Sequence, residues 1–366
     1  MLAAGAAGCQ GPGTLTVPFP APSADERYCA WYGDARGTTL YFGQAPFWWA
    51  MGASGGEPLA DLKTVGPQWI GRFDLASLSA SPSIDVTRAR AHAGIWDVLP
   101  HDNSWVYFTT FYELAGAVQP ATAAVRHFEQ LGTGLNELAP GPEGTILATR
   151  YGGGQDDPGG NGSLVLFSPD GLLIAEYPLM APDGFTIAPK TPAWDEHASR
   201  YWVTTDLIPR DPSAPEPNTY HPTLVLDDSG AEIARLHEVE VQFVRFSPDG
   251  RGVAAFVSGS SLRLATLGPG SPTARVHPGA GLELDAQFPG ALDFVQDISF
   301  GPNDETVVTR WGGLIHVIGA DGSTQTVQLP RNDPRALYYS GVLTPDGRTV
   351  CATRCRDVAV VCRALP

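Results

Sequence analysis

Lysine is nearly absent from this chain of 366 residues. Only Lys63 and Lys190 occur, so arginine supplies almost all of the positive charge. Acidic residues outnumber basic ones by 39 to 23, and the formal net charge is −16. A surface of this sign repels phosphate backbones, so we expect no nucleic-acid partner.

Long apolar runs are missing as well. No stretch of 18 or more consecutive apolar residues occurs, and the sequence therefore predicts no transmembrane segment. The motif HExxH is also absent, so zinc-protease chemistry has no support in the sequence. The motif GxSxG occurs once, as GASGG at positions 52–56 inside a glycine-rich insert, which gives serine-hydrolase chemistry little support.

Cysteine is scarce, with five residues, but its placement is informative. Cys9 follows the small, apolar stretch MLAAGAAG at positions 1–8. This resembles the lipobox of bacterial lipoproteins, although basic residues are missing before it and Ala6 stands where leucine is usual. We expect a lipid anchor at Cys9, with residues 1–12 as a tether and 13–366 as one domain. Plain secretion and an accidental alanine-rich start are the alternatives.

The other four cysteines predict two disulfides. No CxxC pair occurs, and their spacing does not fit a zinc site. Four cysteines allow three pairings, and all three stay open. Disulfides indicate a location outside the cytoplasm, whereas free buried thiols are the alternative reading. The four residues are Cys29, Cys351, Cys355 and Cys362.

Short apolar runs bounded by turn residues fill the chain. Hydrophobic residues make up 43%, and 42 glycines and 33 prolines separate them. The stretch Val241–Leu267 shows the unit: VQFVRF, SPDG, RGVAAFV, SGSS and LRLATL read as three strands and two tight turns. Similar units recur seven times. Their first turns lie near Asp34, Asn103, Glu143, Asp195, Asp249, Asn303 and Asp346.

A four-stranded unit repeated about every 40–50 residues is typical of a β-propeller blade. The seventh unit lacks a fourth strand, and TLTVPF at positions 14–19 lacks a partner. We therefore predict an all-β fold of seven blades, closed by the N-terminal strand. Six blades is the alternative, because the fourth unit is irregular. A disulfide from Cys29 to a C-terminal cysteine would join the two ends.

The turn motifs carry a family resemblance. FSPDG at 167–171 and 246–250 and LTPDG at 343–347 resemble the turns of TolB-type, YVTN-type and gluconolactonase-like bacterial propellers. IGRFDL at 70–75 is similar to the seven-bladed streptogramin lyases. These motifs report hairpin geometry, so they indicate a fold and not an activity.

Ligands of propellers usually bind where the inner strands meet a central channel. Six residues before each turn, the blades carry Tyr28, Asp97, Glu137, Pro189, Phe243, Asp297 and Ser340. One residue earlier stand Trp96, Asn136, Gln242, Gln296 and Tyr339. From these two rows we expect Trp96, Gln242 and Tyr339 to contact a ligand.

The resemblance to gluconolactonases implies a channel Ca²⁺, which takes six to eight oxygen ligands. It would polarise a lactone or ester carbonyl. An ordinary polar channel without a metal is the alternative. The residues implied as ligands are Asp97, Asn136, Glu137, Gln296 and Asp297.

Two functions follow as expectations. The first is a cell-envelope or secreted scaffold that binds an envelope protein, a peptide or a small ligand without catalysis. The alternative is a Ca²⁺-dependent lactone or ester hydrolase. A sugar-binding surface built on Trp48 and Trp49 is a third option.

Overall fold

The computed structural model describes most of the chain, and only this part is discussed below. The described residues are 8–9, 13–20, 28–46, 68–88, 95–110, 113–152, 160–210, 221–247, 249–267, 276, 281–285, 294–331, 336–355 and 357–366. The pair Trp48 and Trp49 lies outside these ranges. Within them, no helix has both the length and the apolar character needed to span a membrane.

The described part of the chain is almost entirely β-structure. Two short 3₁₀ helices, Glu129–Leu131 and Pro142–Gly144, lie at turns. The strands are β1 (Gly8–Cys9), β2 (Thr14–Pro18), β3 (Tyr28–Arg36), β4 (Thr39–Pro46), β5 (Trp69–Asp74), β6 (Ser79–Asp85), β7 (Ile95–Pro100), β8 (Val106–Thr110), β9 (Gly116–Gln119), β10 (Ala124–His127), β11 (Leu135–Pro140), β12 (Ile146–Arg150), β13 (Ser163–Phe167), β14 (Leu173–Pro178), β15 (Phe185–Asp195), β16 (Arg200–Pro209), β17 (Thr223–Asp227), β18 (Glu232–Leu236), β19 (Glu240–Phe246), β20 (Gly252–Ser258), β21 (Ser261–Leu267), β22 (Leu282–Asp285), β23 (Val295–Phe300), β24 (Thr306–Arg310), β25 (Leu314–Ile318), β26 (Thr324–Gln328), β27 (Tyr338–Leu343), β28 (Thr349–Arg354) and β29 (Ala359–Ala364).

These strands form seven antiparallel sheets, the blades of a β-propeller. Six blades are meanders of four consecutive strands, from β3–β6 in blade one to β23–β26 in blade six. We call the first strand of each blade its inner strand and the fourth its outer strand. The prediction of seven blades is confirmed, and the alternative of six is wrong because the irregular fourth unit is a full sheet, β15–β18.

Blade seven is completed from the other end of the chain. Its strands run in the order β1-β2-β29-β28-β27, so β2 takes the place of the missing fourth strand. The pairing runs from Thr14 opposite Arg363 to Pro18 opposite Ala359. This confirms that the N-terminal strand closes the fold, which protects an edge that would otherwise be open to another chain.

The blades divide between two compact units. Unit one contains residues 1–113, 117–126 and 292–366, and unit two contains 114–116 and 127–291. Blades one, two, six and seven therefore belong to unit one, apart from residues at the edge of blade two. Blades three, four and five belong to unit two. Each unit has its own buried apolar core, such as that around Phe42 and Phe73 in unit one and that around Trp202 and Phe256 in unit two.

Every inner strand contains a β-bulge. In blade one, for example, Ala30 and Gly33 are three residues apart, whereas their partners Gln44 and Phe42 are two apart. One extra residue on the inner strand bends it and re-aims its side chains. The residues inside the seven bulges are Trp31–Tyr32, Trp96–Asp97, Asn136–Glu137, Lys190–Thr191, Gln242, Gln296 and Tyr339–Ser340.

Both predicted disulfides are present, which settles the open pairing. Cys29, on β3, is bonded to Cys355 and joins blade one to blade seven within unit one. Cys351 and Cys362 are bonded across β28 and β29, where they are direct partners in the sheet. The first bond closes a loop of 326 residues and the second a loop of 11.

The two disulfides should contribute unequally to stability. A cross-link restricts the unfolded chain more when its loop is longer, so we expect the Cys29→Ala/Cys355→Ala pair to lose roughly 5 kcal/mol. The matched Cys351→Ala/Cys362→Ala pair should lose about 3 kcal/mol. Urea unfolding of both variants, followed by tryptophan fluorescence, measures this. An equal loss in the two variants would contradict the loop-length argument.

Candidate functional site

In three of the seven blades, a threonine hydroxyl on the second strand accepts a hydrogen bond from the bulge. A bulge leaves its extra backbone N–H outside the ladder, and a buried N–H without an acceptor costs about 1–3 kcal/mol. In three blades this N–H donates to a threonine one strand away. The distances are 3.2 Å from Glu137 N to Thr149 Oγ1, 3.0 Å from Thr191 N to Thr204 Oγ1, and 3.1 Å from Ser340 N to Thr353 Oγ1.

The same polar groups connect neighbouring bulges in unit one. The Thr353 hydroxyl donates to the carbonyl oxygen of Trp31 over 3.0 Å. The Ser340 hydroxyl accepts from Gly33 N–H over 2.9 Å. Gly33 is required there, because a Cβ would lie 2.0 Å from the carbonyl oxygen of Tyr41. Blades seven and one are thus fixed to each other through backbone atoms at their bulges.

Four aromatic rings meet at these bulges, and we call them the aromatic cluster: Trp31, Tyr32, Trp96 and Tyr339. Trp31 stacks on Trp96 with ring centroids 5.5 Å apart and 26° between the planes. Tyr339 lies 4.8 Å from Trp31 and 5.0 Å from Tyr32. Trp31 and Tyr339 are buried, whereas Tyr32 and Trp96 are half-buried. The cluster therefore has a fixed base and a partly accessible surface.

Polar groups lie around this cluster. The Tyr32 hydroxyl donates to Gln296 Oε1 over 2.6 Å. The Asp97 carboxylate follows Trp96 in the same bulge and accepts from Val98 N–H over 2.7 Å. Burial raises the pKa of Tyr339. Its phenol therefore stays protonated at neutral pH.

In unit two, the bulges of blades three and four carry Glu137 and Lys190, which take part in an arrangement that we call the ion-pair network. Thr191 Oγ1 donates to Glu137 Oε2 over 2.7 Å. The neighbouring Lys190 Nζ lies 2.7 Å from Asp206 Oδ2, and Asp206 Oδ1 accepts from His221 Nδ1. On its other side, the imidazole faces Glu240, with 3.9 Å between Nε2 and Oε1.

Two carboxyl groups of this network are shifted in opposite directions. Burial raises the pKa of Glu137, and the hydrogen bond from Thr191 opposes this only in part. Burial alone would also raise the pKa of Asp206. The hydrogen bond from His221 and the charge of Lys190 outweigh burial, so its pKa is lowered. Asp206 is therefore the ionised centre of the network.

The residues expected from the sequence all lie in or beside bulges, but in two different units. Unit one holds Trp96, Asp97, Gln296, Asp297 and Tyr339, and unit two holds Asn136, Glu137 and Gln242. Gln242 Nε2 donates to Glu240 Oε1 over 3.3 Å. Within the described residues, no group of three His, Cys, Asp or Glu side chains is placed to hold a metal ion. The calcium site stays a prediction.

In two blades, the rows expected from the turns miss the bulge. In blade one, Asp34 lies inside β3 and the turn comes at Gly37–Thr38, so the bulge is at Trp31–Tyr32 and not at Tyr28. In blade four, the bulge follows Pro189 by one residue.

The sequence contains a pattern that can mark the position of a bulge. The second strands repeat a buried threonine before a basic or polar residue, as in ATRY, VTRW and ATRC at 148–151, 308–311 and 352–355. In blade four, Thr204 is such a threonine and marks the bulge, whereas blade one has Gly43 at the matching position and gives no such signal. His221 and Asp206 have no such marker, because they approach each other from β16 and the segment before β17.

Solved structures share this architecture. The chain is similar to the WD40 β-propeller domain of Doa1, with a TM-score of 0.54, 10% identity, and coverage of 92% of this chain and 96% of that one. It is also similar to the WD40 domain of Neurospora crassa Pan2, with a TM-score of 0.56, 10% identity, and coverage of 95% and 94%. The fold is that of a WD40-type β-propeller.

The comparisons with known proteins show the fold alone. As many as 1131 solved chains match it, so the fold alone does not select a function. No protein-family model matches the sequence, and no curated protein matches it either. The resemblance to the TolB-type, YVTN-type and gluconolactonase-like propellers accordingly stays an expectation at the level of family.

The ion-pair network predicts two opposite effects of pH on stability. The lowered pKa of Asp206 means that its carboxylate stabilises the fold above the unfolded pKa of about 3.9, and that this is lost as pH falls through the folded pKa. Glu137, with a raised pKa, destabilises the fold once pH exceeds about 4.3. At pH 7 we expect Asp206→Asn to be less stable than the wild type and Glu137→Gln to be equally or more stable.

Urea unfolding between pH 3 and pH 8 measures both effects. Both differences from the wild type should shrink as the pH falls below about 4, where the carboxyl groups become protonated. Glu143→Gln, an exposed change in the turn of the same blade as Glu137, is the matched control. A constant difference for Asp206→Asn across this range would contradict its role as the ionised centre.

Proposed function

We propose that the protein is an exported β-propeller that acts as a binding scaffold, with the aromatic cluster as its ligand-binding surface. One observation carries the proposal: rings from three blades meet at bulges, and two of them, Tyr32 and Trp96, are only half-buried. Tryptophan and tyrosine offer large contact areas with few rotatable bonds, and binding energy concentrates on such residues.

The aromatic cluster rests on a rigid support, which favours a role in ligand binding over a role in core packing alone. Trp31 and Tyr339 belong to one buried group with Leu337 and the disulfide between Cys29 and Cys355. A surface held in place before the ligand arrives loses little conformational entropy on binding. Asp97 and Gln296 add polar groups that can orient a peptide or a small ligand.

Export is part of the same proposal. Disulfides persist in oxidising compartments, and two of them form here. The negative charge of the chain fits a protein partner or a small ligand rather than a nucleic acid. A lipid at Cys9 would hold the scaffold at a membrane surface.

A panel of phage-displayed peptides and an array of glycans test the scaffold. We expect a ligand selected on the wild-type protein to lose about tenfold or more in affinity with Trp96→Ala, as is usual when a central tryptophan is truncated. Trp105→Ala is the matched control, since Trp105 lies in the hairpin turn at the far end of the same strands. Failure to select any ligand, or equal losses in both variants, would overturn the proposal.

A calcium-dependent lactone or ester hydrolase is the second candidate. It is favoured by the burial of an oxygen-bearing side chain, Asn136, beside Glu137 in one bulge of unit two. Calorimetric titration with Ca²⁺ tests it, because hard cations bind oxygen ligands. Micromolar binding that is lost in Glu137→Gln and kept in Glu143→Gln would support the site. The absence of a binding heat would contradict it.

A further inference from the structure

The outer strand of blade three, β14, is unusual among the outer strands. It lies at the end of its sheet, in the order β11-β12-β13-β14, and no further strand pairs with it in the described part of the chain. Leu172, just before the strand, and the first two residues of the strand, Leu173 and Ile174, are between 44% and 53% exposed. An edge strand of this kind offers unpaired backbone groups together with apolar side chains.

Other outer strands carry the features that normally protect an edge. Charged residues, prolines and polar residues discourage the addition of another strand. In β26 the exposed side chains are threonines and glutamines, β6 contains Pro82, and β18 contains Glu232 and Arg235. The first half of β14 has none of these side chains, and its one irregularity is a β-bulge at Ile174.

The apolar surface continues to the neighbouring blade within unit two. Arg235 Nη2, on β18, donates to the carbonyl oxygen of Met180 over 2.7 Å. The Tyr177 hydroxyl donates to the carbonyl oxygen of Asp228 over 3.3 Å. Met180 and Ile233 are both more than half exposed. Among the described residues, most of the large exposed apolar side chains of unit two therefore lie along these two outer strands.

The charge around this surface is negative. The two nearby arginines are already paired, Arg150 with Glu176 and Arg235 with Glu232, at 2.8 Å and 2.6 Å. Exposed carboxylates also lie along it: Asp170 before β14, Asp183 after Met180, and Asp228 beside Tyr177. A second copy of the chain would bring the same acidic rim, so charge favours a basic partner.

We propose that β14 is a strand-addition site for an extended segment of a partner protein that alternates apolar and basic residues. The backbone of the segment pairs with the open edge of β14, which supplies most of the affinity. Its apolar side chains cover Leu172, Leu173 and Ile174. Its basic side chains meet exposed carboxylates of this rim, such as Asp228. This surface is separate from the aromatic cluster and does not depend on the function proposed for it.

A fluorescein-labelled peptide, Lys-Val-Thr-Val-Arg-Val-Lys, tests the site by fluorescence anisotropy. We expect the wild-type protein to bind it, with weaker binding in higher salt. Leu173→Lys should weaken binding about tenfold, since it places a charge on the edge and repels the basic segment. The matched control is Thr324→Lys on β26, because Thr324 pairs with Ile318 as Leu173 pairs with Phe167.

Two further measurements keep the outcome decisive. The same peptide, N-methylated at three consecutive central residues, cannot form the backbone pairing and should not bind. Leu173→Thr gives a milder change if Leu173→Lys does not fold. No binding to the wild type at millimolar peptide, or equal losses in Leu173→Lys and Thr324→Lys, would overturn the proposal. So would light scattering that shows a wild-type dimer dissociated by Leu173→Lys, because a second copy would then cover the edge.

Discussion

A hydrogen bond from a bulge N–H to a threonine hydroxyl supports candidate-site residues in three of the seven blades. A bulge gains a re-aimed side chain but loses a ladder bond, and a buried threonine on the second strand replaces that bond. Thr149, Thr204 and Thr353 do this in blades three, four and seven. Because the threonine hydroxyl accepts the hydrogen bond of the bulge N–H, the side chains inside the bulge can make other contacts.

The same backbone device serves two kinds of chemistry. In unit one the bulges hold aromatic residues, whose rings pack on one another and on a disulfide. In unit two they hold Glu137, Lys190 and Thr191, which join a chain of hydrogen bonds and ion pairs. Repeated geometry with varied side chains is how one fold supports many functions. The bulges therefore place the aromatic cluster and the charges of Glu137 and Lys190, whereas Asp206 and His221 join the network from outside the bulges.

Much of the fold could be predicted from the sequence, because turns such as SPDG require particular residues and those residues recur. The closing strand at 14–18 followed from counting unpaired strands. The site residues are harder to predict from the sequence. Counting back from the turns finds them only where strand length is constant, and β15 and β3 are longer than the other inner strands. The partners Asp206 and His221 meet through tertiary structure alone, so no spacing in the sequence reveals them.

The treatment of edges explains why β14 stands apart. The chain uses β2 to cover the last strand of blade seven, and polar or charged side chains occupy the outer strands β18 and β26. An apolar edge left open in such a protein carries a risk of aggregation. The acidic groups beside it, Asp170, Asp183 and Asp228, limit that risk by repelling other copies of the same chain. The same carboxylates would attract the basic segment that we propose, so one set of charges disfavours a second copy of the chain and favours that partner.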